Sequence, residues 1–138
     1  MIARVGDIRR EDPDLPDPAK KDEAGNIRRG DIYSAELRDC AGDGRKVSRP
    51  VLVVQNDIGN RFGNSVIVAC VTITVIHDFP VIVEIPPESV PGPAAICLNQ
   101  LITMDKGNLG EKLASLPSET MAAVDEALRL SLGLPRGG

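Results

Sequence analysis

The stretch "RPVLVVQNDIGNRFGNSVIVACVT", from Arg49 to Thr72, decides the fold of this 138-residue chain. It contains two aliphatic, β-branched runs, "PVLVV" and "SVIVACVT", and such runs are typical of buried strands. Between them lies the polar decapeptide Gln55–Asn64, whose Asn and Gly residues favour a reversal of the chain. The stretch therefore predicts an antiparallel hairpin that begins with an arginine and ends with a threonine.

Further strand signals lie on both sides of this hairpin. The segments "DIYSAEL", "VIVEI" and "AAICLNQLI" are bounded by Gly, Pro or Asn, and "EKLASL" favours one more short strand. After these segments the apolar period becomes helical, with Ser118 placed to cap a helix and Gly133 to end it. The apolar face of this helix is formed by Met121, Val124, Leu128 and Leu132. The pattern predicts a mainly β domain, a small β-barrel closed by one C-terminal α-helix.

The N-terminal residues 1–28 differ in composition from the rest of the chain. Their segment "REDPDLPDPAKKDEAGN" is rich in proline and charge, so we expect a disordered or loosely attached extension followed by one domain over residues 29–138. No apolar run is long enough for a membrane span or a signal segment. Three cysteines without a CxxC pair indicate neither a zinc site nor a disulfide framework, and the predicted location is the cytoplasm.

The charge of the chain is unevenly distributed. The formal net charge is −4, and the segment from Asp105 to Glu126 holds five acids against two lysines. Between Arg38 and Arg61, by contrast, five cations stand against three acids. This pattern argues against broad wrapping of a nucleic acid and favours phosphate contact at one local basic zone.

The ends of the hairpin carry side chains that suit a phosphoryl group. Pairing centred on the decapeptide places Arg49 opposite a residue close to Thr72, so both side chains can converge on one small group. An arginine offers a fixed fork of donors that stays charged, and a threonine hydroxyl adds one more donor. From the residues alone, a solvated strand-end arginine and an ordinary β-branched strand residue remain the commoner interpretation.

Several motifs in the same order resemble the MazF/PemK family of toxin endoribonucleases over about residues 29–134. They are "RRGDIY", "RPVLVVQNDIGNRF", "SVIVACVT", "LNQLITMDK" and "LPSETMAAVDEALRLSLGL". The resemblance implies an SH3-like β-barrel, a homodimer and a toxin of a type II toxin–antitoxin system. It also implies metal-independent, sequence-specific cleavage of single-stranded RNA by 2′-hydroxyl attack, which leaves 2′,3′-cyclic phosphate and 5′-hydroxyl ends. The family's catalytic arginine and threonine fall on Arg49 and Thr72, and no cofactor is expected.

The predicted RNA contacts lie in two loops and one strand. The loop "RDCAGDGRKVS" and the decapeptide are longer than ordinary hairpin loops, and long loops are often functional. Aromatic rings can stack on unpaired bases, and a glutamine can read a base edge. The candidate residues are Arg45, Lys46, Asn56, Arg61, Phe62 and Gln100. A basic groove containing Arg45, Lys46, Arg49 and Arg61 would also attract a cognate, MazE-like antitoxin through an extended acidic segment.

The sequence argues against a metal-dependent nuclease and leaves two alternative functions open. The single histidine, His77, cannot form a two-histidine nuclease site, and Asp57 beside Asn56 fits turn chemistry better than metal binding. No metal site is therefore predicted. The main alternative is a toxin of the same fold that resembles CcdB and acts on DNA gyrase without cleaving RNA. A second alternative is an SH3-like interaction module without catalytic activity.

Overall fold

The computed structural model describes residues 26–38, 46–73, 79–90 and 92–135. In this part of the chain, six strands and two α-helices follow one another, with one 3₁₀ turn between the last two strands. The elements are β1 (Asp31–Arg38), β2 (Lys46–Val53), α1 (Asp57–Phe62), β3 (Ser65–Thr72), β4 (Ile82–Glu84), β5 (Ala95–Asp105), the 3₁₀ turn (Lys106–Asn108), β6 (Leu109–Ser115) and α2 (Ser118–Leu132). All the strands expected from the sequence are present. Within the predicted decapeptide loop, the structure forms the short helix α1.

The strands form one antiparallel sheet in the order β4-β5-β3-β2-β1-β6. The predicted class, mainly β with a C-terminal helix, is confirmed. Closure of the sheet by hydrogen bonds is not observed, because among the described residues no ladder joins the edge strands β4 and β6. The barrel is therefore a curled sheet that stays open between these two edges.

The 3₁₀ turn explains why the sheet must curl. In the sheet order, β5 and β6 are separated by β3, β2 and β1, a distance of about 19 Å in a flat sheet. Only three residues, Lys106–Asn108, connect the end of β5 to the start of β6. Four residue steps reach at most about 14 Å even when they are fully extended. The sheet therefore bends until the ends of β5 and β6 approach each other.

Side chains on both faces of the curled sheet are buried, and they form two clusters. The first core cluster lies on the face covered by α2 and contains Ile32, Leu52, Val54, Ala69, Val71, Val81, Ile85, Ala94, Ile96, Leu98, Leu116, Val124 and Ala127. The second core cluster lies on the opposite face and contains Ile27, Tyr33, Ala35, Val51, Val53, Val66, Val68 and Met104. Successive residues of one strand alternate between the clusters, as Val51, Leu52 and Val53 do. The core is aliphatic, apart from Tyr33.

Helix α2 packs on the sheet largely as predicted, with two corrections. Val124 is fully buried, and Met121 and Leu128 pack against the first core cluster. Leu132 was expected on the same face but is 56% exposed, since eight residues beyond Val124 a helix has turned about 80° from that face. The predicted cap Ser118 is instead the first helical residue, after Pro117. Gly133 ends the helix in the left-handed conformation, as expected.

The folded region begins at or before Asn26. Ile27 is buried in the second core cluster, the Tyr33 hydroxyl donates a hydrogen bond to the Asn26 carbonyl at 3.4 Å, and the Arg28 N–H donates to the Asp31 carboxylate at 3.2 Å. Residues 26–28 therefore belong to the packed domain, although the sequence assigned them to the extension. Residues 1–25 lie outside the described residues, and the division into extension and domain stays a prediction. The helices of the described residues contain no segment that is long and apolar enough to cross a membrane.

Two truncations separate the extension from the domain. Deleting residues 1–25 should leave the melting temperature within a degree or two of the full-length value, because that segment contains almost nothing to bury. Deleting residues 1–28 should lower it clearly, since this removes Ile27. The point variant Ile27→Ala should lower the free energy of unfolding by about 2–4 kcal/mol in urea denaturation. A large loss of stability in the shorter truncation would contradict the proposed boundary.

Candidate active site

The register of the central hairpin places Arg49 and Thr72 opposite each other. Strands β2 and β3 pair Val51 with Cys70, Leu52 with Ala69 and Val53 with Val68. Continued by two residues, this register sets Arg49 opposite Thr72. The ladder itself ends at Val51, next to Pro50, which has no N–H to donate. The cross-strand relation derived from the sequence therefore agrees with the observed register, at the point where β2 leaves β3.

Both side chains lie on the face of the second core cluster. Along β2, Arg49 alternates in phase with Val51 and Val53, and along β3, Thr72 alternates in phase with Val66 and Val68. Arg49 is exposed, and Thr72 is half-buried. On the side of β2 away from β3, Arg49 pairs with Ala35 of β1. The pair therefore stands at the rim of a packed apolar face, with the charged group accessible to a ligand.

Gln100 lies in a bulge of β5, the strand that pairs with Thr72 of β3. Ala69 of β3 pairs with Leu101, whereas the next residue, Cys70, pairs with Cys97, so that residues 98–100 have no partner in β3. Gln100 is exposed, whereas Leu98, two residues earlier, is buried in the first core cluster. Bulges commonly redirect a side chain next to a functional site. Of the predicted RNA contacts, Gln100 is the one that lies on the strand next to Thr72.

Helix α1 lies at the other end of the hairpin. Strand β2 ends at Val53, and α1 begins at Asp57. The five residue steps from Arg49 to Val54 alone span about 16 Å along the strand direction. Arg61 of α1 is exposed, and the guanidinium carbon lies 5.4 Å from the centre of the Phe62 ring. The structure therefore separates Asn56, Arg61 and Phe62 from the Arg49–Thr72 pair.

The polar residues around α1 have structural roles that the sequence did not reveal. The Asn56 side chain caps the helix by accepting a hydrogen bond from the Gly59 N–H at 2.8 Å. The Asp57 carboxylate accepts from the Arg29 N–H at 2.7 Å and from the Asn60 side chain at 3.1 Å. Asp57 therefore has a structural role, but the local bond to nearby backbone that the sequence suggested for it is made by Asn56 instead. The cap also assigns Asn56 a fixed place in the fold, whatever contact it makes with RNA.

Asn60 is the buried centre of this polar network. Only 3% of its surface is exposed, and its amide donates to the Gln55 carbonyl at 2.9 Å. The Gln55 side chain returns a hydrogen bond to Asn60 Oδ1 at 3.1 Å and donates a second one to the Ser65 carbonyl at 3.0 Å. Lys106, from the 3₁₀ turn, donates to the Asn60 carbonyl. A polar residue in a polar segment gives no sign of burial, so sequence analysis did not find Asn60.

Lys46 lines a groove that we name the β1–β5 groove. The groove has a volume of about 470 Å³ and lies between the ends of β1 and β5, which the curl of the sheet brings together. Its walls are formed by Glu36, Leu37, Lys46, Ser65, Ile102, Thr103, Met104, Asp105 and Asn108. The half-buried Leu37 and Ile102 and the buried Met104 give it an apolar floor, and the polar residues form its rim. This composition is typical of a site that takes a flat, partly polar group.

Two of the residues discussed in the sequence analysis, Arg45 and His77, lie outside the described residues. Within the described parts of the chain, no group of three or more His, Cys, Asp or Glu side chains is placed to hold a metal ion. Phe79 is 44% exposed, so its ring is accessible to solvent.

Comparisons with known proteins give a consistent result. Residues 28–132 match the family model described as the PemK-like, MazF-like toxin of type II toxin–antitoxin systems. The chain is 42% identical over 111 residues to endoribonuclease EndoA of Bacillus subtilis strain 168, which covers 78% of this chain and 96% of EndoA.

Two solved structures share the fold. One is an endoribonuclease from a mycobacterial species, with a TM-score of 0.68 and 27% identity, covering 80% of this chain and 95% of that chain. The other is a mycobacterial endoribonuclease in complex with its cognate antitoxin, with a TM-score of 0.67 and 27% identity, covering 80% of this chain and 99% of that chain.

Substitutions of Asn56 separate its role in capping from any role in binding RNA. Asn56→Ala should lower the free energy of unfolding by about 1 kcal/mol, because the Gly59 N–H loses its acceptor. Asn56→Ser should retain most of the stability, since serine is an equally good cap. Urea denaturation measures both variants. An equal loss in Asn56→Ser would show that the cap is not the source of the stability.

Proposed function

Because the chain belongs to the PemK-like, MazF-like family of type II toxin–antitoxin toxins, we propose that it is a toxin endoribonuclease that cleaves single-stranded RNA without a metal ion. The observation that carries this proposal is the opposed pair of Arg49 and Thr72 at the rim of the sheet. An endoribonuclease that shares 42% of its residues supports the assignment to RNA. We further propose that cleavage is specific for a short sequence.

The proposed reaction is an internal transfer at one phosphate of the RNA. The 2′-hydroxyl attacks the adjacent phosphorus in line with the bond to the 5′-oxygen of the next nucleotide. The new P–O bond gives a 2′,3′-cyclic phosphate, and the broken bond releases a 5′-hydroxyl. Negative charge on the phosphoryl oxygens increases in the transition state, so oriented donors there lower the barrier.

Arg49 and Thr72 have the chemistry to supply these donors. The guanidinium presents two N–H groups in one plane, which matches two phosphoryl oxygens and neutralises their charge. The Thr72 hydroxyl, on the opposed strand and the same face, donates one more hydrogen bond. A guanidinium stays protonated in proteins and is a poor base, so the part of Arg49 in proton transfer is limited to donation to the leaving oxygen. We assign the general base to no residue.

The proposed path of the RNA runs along the β1–β5 groove toward the Arg49–Thr72 pair. Lys46 lies three residues before Arg49, about 10 Å along β2, and can bind a neighbouring phosphate. The apolar floor of the groove suits the face of a base, and we assign to Gln100 the reading of a base edge. Arg45, Asn56, Arg61 and Phe62 complete the proposed contacts, the last three as a second binding region on and beside α1.

We propose two protein partners. One is a second copy of this chain in a homodimer, as the family resemblance implies. The other is a cognate, MazE-like antitoxin, because a mycobacterial endoribonuclease of this fold has been solved with its own antitoxin. An extended acidic segment of that antitoxin would be attracted to the same cations that bind RNA, namely Lys46, Arg49 and Arg61.

Substitutions at the pair test the proposed mechanism. Arg49→Ala should lower the single-turnover cleavage rate by at least about 10³-fold, because charge and oriented donors are both lost. Thr72→Ala should lower the rate by about 10¹–10²-fold, since water can replace one neutral donor. Arg49→Lys should recover little, because an ammonium lacks the planar fork. The rates are measured on defined RNA in the presence of EDTA.

Two controls make this test specific. Arg129→Ala removes an arginine from α2, where it pairs with Glu126, and should leave cleavage unchanged. All variants should retain the melting temperature of the wild-type protein to within a few degrees. A folded Arg49→Ala protein that cuts at nearly the wild-type rate would overturn the mechanism. Growth arrest without RNA cleavage by the wild-type protein would favour a CcdB-like action on DNA gyrase.

Competition between RNA and antitoxin tests the shared cationic surface. Saturating antitoxin should abolish binding of a non-cleavable RNA, and Lys46→Ala should weaken the binding of both ligands. Both affinities should fall as salt is raised, because the contacts are charged. Fluorescence anisotropy of labelled RNA measures the effect. Unchanged RNA affinity at saturating antitoxin would show that the two ligands bind separate surfaces.

A further inference from the structure

Two cysteines face each other across the ladder that carries Thr72. Cys70 of β3 and Cys97 of β5 are direct register partners, and both are reduced thiols. Opposed residues of an antiparallel pair have Cα atoms about 4.5–5.5 Å apart, and their side chains share one face. Disulfides span Cα separations of about 4.4–6.8 Å. The native backbone therefore already holds the two thiols at a distance that a disulfide can bridge.

The two thiols differ in access. Cys70 is half-buried and alternates in phase with Thr72, two residues later on the same face. Cys97 is only 6% exposed, and burial raises the pKa of its thiol. A small oxidant in solvent would thus meet Cys70 first, whereas Cys97 stays protonated and protected beside it.

The pair also lies at the weak point of its ladder. Between Ala69 and Cys70 the pairing of β3 with β5 slips by three residues, so that residues 98–100 form a bulge in β5. On the far side of the bulge, β3 pairs with Ile96 and Ala95 only through Val71 and Thr72. A covalent link between Cys70 and Cys97 would therefore fix the short ladder that positions Thr72.

We propose that Cys70 and Cys97 form a redox-modification site, in which a hydroperoxide converts them into an intramolecular disulfide between β3 and β5. The Cys70 thiol loses its proton and attacks hydrogen peroxide as the thiolate, so that the O–O bond breaks and Cys70 becomes a sulfenic acid, while the leaving hydroxide takes up that proton and departs as water. The Cys97 sulfur then attacks the Cys70 sulfur, the S–O bond breaks, and a second water carries away the proton of Cys97. In total, two thiols and one peroxide give one disulfide and two waters.

The disulfide should stabilise the fold, because the native register accommodates it. It closes a loop from residue 70 to residue 97, and a loop of this length is expected to raise the melting temperature by about 10 °C. Disulfides in reducing compartments are usually transient and redox-sensing. The proposal does not depend on the RNA-cleaving activity.

The experiment uses the full-length chain with Cys40→Ser, which leaves Cys70 and Cys97 as its two thiols. After treatment with hydrogen peroxide, intact mass should show the loss of two hydrogen atoms. Peptide mapping should then find the peptides of Cys70 and Cys97 linked within one chain. The melting temperature should rise, and a thiol reductant should restore the original value.

Two further variants test the order of the steps. With Cys97→Ser, peroxide should leave a sulfenic acid on Cys70 that dimedone traps, whereas with Cys70→Ser, Cys97 should react many times more slowly. Links only between chains, equal reactivity of the two cysteines, or a disulfide that lowers the melting temperature would each overturn the proposal. Mapping of the Cys40→Ser protein decides the outcome even where a further variant fails to fold.

Discussion

The short connection between β5 and β6 is the constraint on which the rest of the structure depends. Three residues must join strands that lie on opposite sides of the sheet order, and they can do so only if the sheet curls. Curling brings the ends of β1 and β5 together around one apolar cluster and leaves the other face for α2 to cover. The sheet thus obtains two buried faces, although among the described residues no ladder joins its edge strands.

The curl of the sheet also leaves the candidate active site open to solvent. Strand β2 pairs with β3 only from Val51 to Val53, while its earlier residues stay with β1 as far as Lys46. Arg49 lies in the part of β2 that pairs with β1 but no longer with β3. Its charged group is therefore exposed to solvent at the rim of the core. The β1–β5 groove lies beyond it. A strand that paired along its whole length would have filled this space with a neighbouring side chain.

Several polar residues of the decapeptide have structural roles that the sequence does not display. Asn56 caps α1, the Asp57 carboxylate accepts a hydrogen bond from the Arg29 N–H, and Asn60 is buried in a satisfied hydrogen-bond network. Arg29 also pairs with Asp125 of α2 at 2.8 Å, so that the end of the hairpin is tied to the helix.

The sequence by itself determined the strands and the C-terminal helix, and it placed Arg49 opposite a residue close to Thr72. These features follow from local patterns, namely runs of β-branched residues, helical spacing, and a hairpin whose centre gives its register to within about two residues. Gly133 at the end of α2 is a further example, because the left-handed conformation there depends on one residue type.

Only the tertiary structure decided the open edge between β4 and β6, the burial of Ile27 and Asn60, and the exposure of Leu132. It also decided that Cys70 faces Cys97, since the bulge at residues 98–100 shifts the register by three residues. No local sequence pattern predicts this bulge. Gln100 lies within this bulge, whereas Asn56 caps α1 at the other end of the hairpin. Side chains far apart in sequence meet according to the curl of the sheet, and the curl arises from the connection between β5 and β6.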